Sequence, residues 1–68
     1  MNVNFGYVLD NGRKMVCRNG ADFLIDDQCT RPITMDEKWF LLGLYFQEHG
    51  DIPQDFLEDE QGNPLDLG

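Results

Sequence analysis

Apolar and polar residues alternate in the first part of the chain. Residues 3–9 switch between larger apolar side chains and polar or smaller ones, and a period of two is typical of a half-buried strand. Similar segments follow at 14–18 and 21–26, separated by Asn11-Gly12 and Asn19-Gly20. Asn-Gly accepts the positive φ angles of a tight hairpin turn. The pattern predicts a three-stranded antiparallel meander, followed by a loop over 27–33.

The middle of the chain is continuously apolar. Residues 39–46 read Trp-Phe-Leu-Leu-Gly-Leu-Tyr-Phe. The flanks favour a helix over a buried strand, because Thr34 and Glu37 have the spacing of a capping box and Gly50 provides a stop. We therefore predict one main helix from Met35 to His49.

This predicted helix has apolar residues on two sides. At 3.6 residues per turn, the side expected to pack on the sheet carries Met35, Trp39, Leu42, Gly43 and Phe46, with Tyr45 at its edge. The sheet side that it would meet carries Phe5, Tyr7, Met15 or Val16, Phe23 and Ile25. The second side of the helix carries Phe40, Leu41 and Leu44. Those three are expected either to be covered by the C-terminal segment or to contact another chain.

The segment after Gly50 resembles a helix start. Proline is tolerated in a first helical turn, so residues 51–58 predict a short second helix that brings Ile52, Phe56 and Leu57 towards Phe40 and Leu44. The predicted fold class is α+β, a three-stranded antiparallel meander packed on one main helix with this second helix as an option. Residues 1–58 would form a single domain and residues 59–68 an acidic tail.

Charge is distributed unevenly. The net charge is −8, and all five Lys and Arg residues precede Trp39, whereas seven carboxylates follow it. Nucleic acids and anionic membranes attract positive surfaces, so direct binding to either is not expected. The first residues lack the basic and apolar regions of a secretion signal, which favours a cytoplasmic location and reduced thiols at Cys17 and Cys29.

The sequence contains no persuasive catalytic or metal-binding motif. Cys17, Cys29 and His49 lack the paired short spacing of a structural zinc site, and nothing places either thiol beside His49 as a nucleophile requires. Adjacent carboxylates such as Asp26-Asp27 are usually solvated and need a cleft for acid–base chemistry. We predict a protein that is not an enzyme and has no catalytic residue, metal or cofactor.

Binding to a protein is the remaining class of function. An acidic half is attracted to a basic surface, and such surfaces commonly bind nucleic acids. The predicted acidic contacts are Glu48, Asp51, Asp55, Glu58, Asp59 and Glu60. The predicted apolar contacts are Phe40, Leu41 and Leu44. These residues predict an inhibitor or modulator of a nucleic-acid-binding protein or complex; the carboxylates alternatively serve only to keep the domain soluble.

The chain resembles small phage inhibitors of host nucleic-acid machinery in its size, acidity, tight hairpins and lack of a catalytic signature. That broad group includes RNA polymerase inhibitors, anti-CRISPR proteins and DNA mimics, and the resemblance implies action in the host cytoplasm. It rests on no individual residue. The alternative is a structural subunit that self-associates, as a homodimer or within a larger assembly, through Phe40, Leu41 and Leu44.

Overall fold

A computed structural model of the chain describes residues 3–27 and 29–65. Its strands are β1 Asn4–Val8, β2 Lys14–Arg18, β3 Ala21–Ile25, β4 Thr30–Ile33 and β5 Gln54–Glu58. They form an antiparallel sheet in the order β4-β3-β2-β1-β5, and the helix α1, Met35–His49, connects the two edge strands. The α+β class is confirmed, but the predicted three-stranded meander is only the centre of a five-stranded sheet.

Both Asn-Gly turns form as the sequence predicts. Asn11 and Gly12 have φ angles of 60° and 75°, and Asn19 and Gly20 have φ angles of 53° and 79°. The second turn joins Arg18 directly to its partner position Ala21. These local signals are therefore sufficient to fix the central meander.

The predicted loop over 27–33 is wrong in its second half, where Thr30–Ile33 forms β4. In this strand Pro32 lies opposite Phe23, and Ile33 lies opposite Asp22. Proline has no N–H group to donate, so it is tolerated in a strand at the edge of a sheet. Pro32 is therefore compatible with the edge position of β4.

The predicted second helix is also wrong, because residues 54–58 form β5. Gly50 adopts a left-handed conformation with φ 72° and ends α1 by donating its N–H to the Phe46 carbonyl at 2.7 Å. The chain then continues past Pro53 and pairs with β1, placing Phe56 opposite Gly6 and Leu57 opposite Phe5. Backbone hydrogen bonds to β1 thus prevail over the local helix signal.

The core lies between α1 and one face of the sheet. It consists of the buried Leu9, Met15, Leu24 and Ile33, with Tyr7, Leu41, Leu42 and Tyr45 packed against them. Tyr7, Met15 and Leu24 are direct cross-strand neighbours, so they share this face. Phe23 and Ile25 alternate with Leu24 and lie on the opposite face, contrary to the expected helix contact.

The Met35–His49 bounds predicted for α1 are confirmed. Thr34 Oγ1 accepts a hydrogen bond from the Glu37 N–H at 3.1 Å, as expected for an N-cap. No helix among residues 3–27 and 29–65 combines the length and apolar character needed to cross a bilayer. The helix instead lies across the sheet with one narrow side packed on the core.

Candidate protein-binding surface

Most of the apolar surface of α1 is exposed. Met35, Trp39 and Phe46, which we expected to pack on the sheet, are 65%, 62% and 53% exposed, and Gly43 is also exposed. The side chains that do pack on the core are Leu41, Leu42 and Tyr45. Of the predicted sheet-facing stripe, only Leu42 and the edge residue Tyr45 are in place.

The exposure of Met35, Trp39 and Phe46 has a geometric cause. The residues of α1 that face the sheet lie between the two apolar sides inferred from the sequence. Leu42 belongs to one of those sides and Leu41 to the other, and both pack against the core. The four buried core residues cover only a narrow line of the helix. Its remaining apolar side chains are left on both outer flanks.

These outer side chains form two ridges along α1. The first ridge consists of Met35, Trp39 and Phe46, and the second consists of Phe40 and Leu44. At 3.6 residues per turn, the helical positions between the ridges belong to Asp36, Gly43 and Gln47. We call this strip the helix channel.

A groove of about 100 Å³ lies beside the first ridge. Trp39 and Leu42 line it from the helix, and Phe5, Tyr7 and Cys17 line it from the sheet. The Lys38 Nζ lies 3.4 Å from Asp22 Oδ1 within the same lining. The groove extends the apolar surface from α1 to the exposed ring of Phe5, which is 42% accessible.

The predicted apolar contacts are divided by the packing. Phe40 and Leu44 are 56% and 42% exposed and lie on the second ridge. Leu41 is half-buried against the core, so its main contacts are internal. Ile52 is 70% exposed and does not cover the ridges as predicted.

Glu58 does not belong to the exposed acidic row predicted from the sequence. It is 4% exposed, and its carboxylate accepts hydrogen bonds from Arg18 Nε at 2.6 Å, Arg18 Nη2 at 3.2 Å and Asn4 Nδ2 at 3.1 Å. The hydrogen bond from Arg18 is the main reason that the pKa of Glu58 lies below its usual range, with a smaller contribution from Asn4. The same pair raises the pKa of Arg18.

Asp59 organises the turn that follows β5. Its Oδ1 accepts hydrogen bonds from the backbone N–H groups of Gln61 and Asn63, both at 2.9 Å. These bonds, with that from Asn63 the largest contribution, lower the pKa of Asp59. The predicted tail is tied back at Pro64, which bridges to Glu58; residues 66–68 lie outside the described residues.

The other predicted carboxylates lie on the surface. Glu48 is exposed near the end of α1, Asp51 follows it, and Asp55 lies on β5 opposite Tyr7. Asp36 is also exposed, inside the helix channel. Glu60 is exposed in the turn after β5. Asp36 and Glu48 therefore lie on the same helix as the apolar ridges, and Asp51 lies just after it.

Each Lys and Arg side chain has a contact within the chain. Arg18 pairs with Glu58, Arg31 with Glu37 at 3.4 Å, and Lys38 with Asp22 at 3.4 Å. The remaining two lie on the sheet and its first hairpin: the Lys14 Nζ is 5.5 Å from the Phe56 ring centroid, and Arg13 Nε donates to the Asp10 carbonyl at 3.4 Å. Two of these cations lie beside the ridges: the Lys38 Nζ is 5.8 Å from the Trp39 ring centroid, and Arg13 lines a pocket with Leu44 and Glu48. The exposed carboxylates on and just after α1 are Asp36, Glu48 and Asp51.

Asp10, Glu48 and His49 bring their ligand-type atoms within 4.8 Å of one another. Sequence reasoning missed this cluster because Asp10 lies 39 residues before His49. In the structure His49 Nε2 lies 2.8 Å from Asp10 Oδ1, and the His49 ring lies on Tyr45 with centroids 4.2 Å apart. These contacts attach the C-terminal end of α1 to the first hairpin. Arg13 lines a pocket with Asp10 and Glu48, and its positive charge opposes the binding of a metal cation there.

Comparison of the chain with protein-family models, with curated proteins and with solved structures gave no match.

Proposed function

We propose that this protein is a small acidic inhibitor or modulator that binds the basic, nucleic-acid-binding surface of a partner protein. The observation that carries the proposal is the surface of α1, where two exposed apolar ridges share the helix with the exposed carboxylates of Asp36 and Glu48. Large apolar side chains that a small domain leaves exposed together are typical of interaction sites. The surrounding charge specifies a partner of opposite sign.

The two parts of the surface have different roles in this proposal. Glu48, Asp51 and Asp55 act over a distance, because complementary potentials steer two proteins together and raise the association rate. They occupy positions where phosphates of the nucleic acid would otherwise stand. Trp39, Phe40 and the neighbouring apolar groups then exclude water at the contact and slow dissociation.

The pairing of cations within the chain supports binding to the partner protein and not to its nucleic acid. Because Arg18, Arg31 and Lys38 are paired with carboxylates of the same chain, they offer little attraction to a nucleic-acid backbone. Inhibition would therefore occur by occupying the nucleic-acid-binding protein and not by binding the nucleic acid. The proposal assigns no catalytic step to the chain.

Affinity capture from a bacterial lysate, eluted with a salt gradient, tests this function. We expect a nucleic-acid-binding protein to be retained at low salt and released as salt screens the charges. The purified partner should then lose its DNA or RNA when this protein is added. Retention of no such partner, or a captured complex that still binds nucleic acid fully, would argue against the proposal.

Charge-neutral variants identify the carboxylates that contribute to capture of the partner. Glu48→Gln and Asp51→Asn should each weaken capture and reduce its salt dependence. Asp27→Asn removes the same charge from the exposed turn between β3 and β4 and should have a smaller effect. Equal effects of all three variants would indicate that only net charge matters.

A structural, self-associating subunit is the second candidate, and the exposed ridges favour it. Sedimentation velocity over a concentration series distinguishes it from the first. A stable dimer that loses its dimeric state on Phe40→Ala would support this second role. A monomer throughout would leave the ridges available for a different protein.

A further inference from the structure

We infer that the helix channel of α1 receives an α-helix of the partner, carrying an apolar stripe flanked by Lys or Arg. This inference rests on the proposed function and specifies the shape and chemistry of the partner segment. It places the principal contact in the helix channel, between the two ridges.

Gly43 is the first reason. Glycine lowers the stability of a helix interior relative to alanine, yet a Cβ atom at Gly43 would meet nothing within 4 Å. Packing within the described chain therefore does not require a glycine here. A second backbone approaching closely from outside would require it.

The positions around Gly43 are the second reason. Trp39 and Phe46 flank it on the first ridge, and Phe40 and Leu44 flank it on the second. Helices pack by placing the side-chain ridge of one into the groove of the other. A small residue between two rows of large side chains provides such a groove, and an amphipathic helix is an established occupant of an apolar groove.

The charge around the helix channel indicates which residue types flank the apolar stripe of the incoming helix. Asp36 lies in the channel and Asp51 follows the C-terminal end of α1, both exposed. Glu48 lies beyond the second ridge, where it lines a pocket with Leu44 and Arg13. A second copy of this chain carries the same net charge of −8 and would bring the same Asp36 and Asp51 to the contact. Like charges disfavour that pairing, whereas Lys or Arg beside an apolar stripe would complement it.

The chain contains its own reporter, because Trp39 is its single tryptophan and is 62% exposed. The probe is a synthetic peptide of about 18 residues, made of Leu and Lys, with Leu at the spacing of one helix face. A peptide of the same composition in scrambled order and a Leu/Glu peptide serve as controls. We expect a saturable blue shift of Trp39 emission with the Leu/Lys helix, and responses at least about tenfold weaker with both controls.

Substitution at Gly43 gives the decisive comparison. Gly43→Leu would fill the channel and should raise the Kd of the Leu/Lys peptide about tenfold or more, while circular dichroism shows an intact fold. Gln54→Leu adds a similar side chain at an exposed position of β5 and should change the Kd less than about twofold. The Trp39 reporter is retained in both variants.

Four results would overturn the inference. They are no response to the Leu/Lys helix at millimolar concentration, an equal response to the scrambled or Leu/Glu peptide, an unchanged Kd in Gly43→Leu, and a blue shift produced by protein concentration alone. The last result would identify a second copy as the occupant. If the protein still displaces DNA or RNA from a captured partner after any of the first three, the proposed function stands and only the channel contact is wrong.

Discussion

Arg18 and Glu58 form an ion pair on the sheet face opposite α1, with Arg18 Nε 2.6 Å from Glu58 Oε1. The residues are 40 positions apart, on β2 and β5, and Asn4 of the intervening β1 donates to the same carboxylate. Glu58 is 4% exposed, so its charge depends on these partners in place of water. The pair joins the last strand to the central meander.

Glu58→Gln should destabilise the protein. The substitution leaves the Arg18 guanidinium without its counter-charge, and breaking a largely buried pair is costly. Because the Arg18 side chain is 32% exposed and water screens it, we expect a loss of about 1–2 kcal/mol in the free energy of unfolding at neutral pH. Urea denaturation measures this loss.

Asp55→Asn is the matched control, since Asp55 lies in the same strand and is exposed. Its unfolding free energy should stay within about 0.5 kcal/mol of the unmodified protein. Equal losses for the two variants would contradict the assigned importance of the Arg18–Glu58 pair.

Acidification should remove the contribution of Glu58. Its pKa is lowered in the folded protein, so the folded state holds the proton less tightly than the unfolded chain does. The stabilisation is fully present above the ordinary Glu pKa of about 4.3 and is lost as pH falls through the lower folded pKa. Stability measured by urea denaturation should therefore decrease more steeply below about pH 5 in the unmodified protein than in Glu58→Gln. Parallel pH profiles would contradict this assignment.

Gly6→Ala should be strongly destabilising. A Cβ atom at Gly6 would collide with the Met15 carbonyl oxygen and lie 2.6 Å from the Phe56 ring. The clash with backbone in the sheet cannot be relieved by a side-chain rotation, so we expect a loss of at least about 2 kcal/mol or failure to fold.

Gly43→Ala is the opposite case, because the added methyl group meets nothing within 4 Å. Alanine is the better helix former, so this variant should gain about 0.5–1 kcal/mol in stability. Thermal unfolding of the two glycine variants provides the comparison. A destabilised Gly43→Ala would show that the helix does not tolerate a side chain at this position.

Leu41→Ala and Phe40→Ala should differ despite being adjacent. Leu41 packs against the core, and its truncation should cost about 1–3 kcal/mol. Phe40 is 56% exposed, so its truncation should change stability by less than about 1 kcal/mol while weakening partner binding. Chemical denaturation and the capture experiment separate the two effects. A larger stability loss for Phe40→Ala would place Phe40 in the core.

The exposure of the candidate contact residues follows only partly from the sequence. Phe40 and Leu44 are exposed as the protein-binding hypothesis requires, and the surplus of apolar residues in α1 was the useful signal. Helical periodicity predicts a core position for Trp39 and Phe46, because it does not reveal which side of a doubly apolar helix meets the sheet. The sequence predicts an exposed Glu58, because its partner Arg18 is remote in sequence.

Features that depend on neighbouring residues can be predicted from the amino-acid sequence. The Asn-Gly turns need only a local positive φ, and the bounds of α1 depend on Thr34, Glu37 and Gly50 within a few residues of its ends. The central meander and the main helix follow from these signals.

The edges of the sheet and the exposed side of α1 depend on the packing of segments that are distant in sequence. Pairing with β1 turned the proline-containing segment after Gly50 into a strand, and pairing with β3 did the same for Thr30–Ile33. The sheet covers the line through Leu41, Leu42 and Tyr45, which leaves the two apolar ridges on the surface. These outcomes depend on hydrogen bonds and contacts between distant segments, for which local periodicity contains no information.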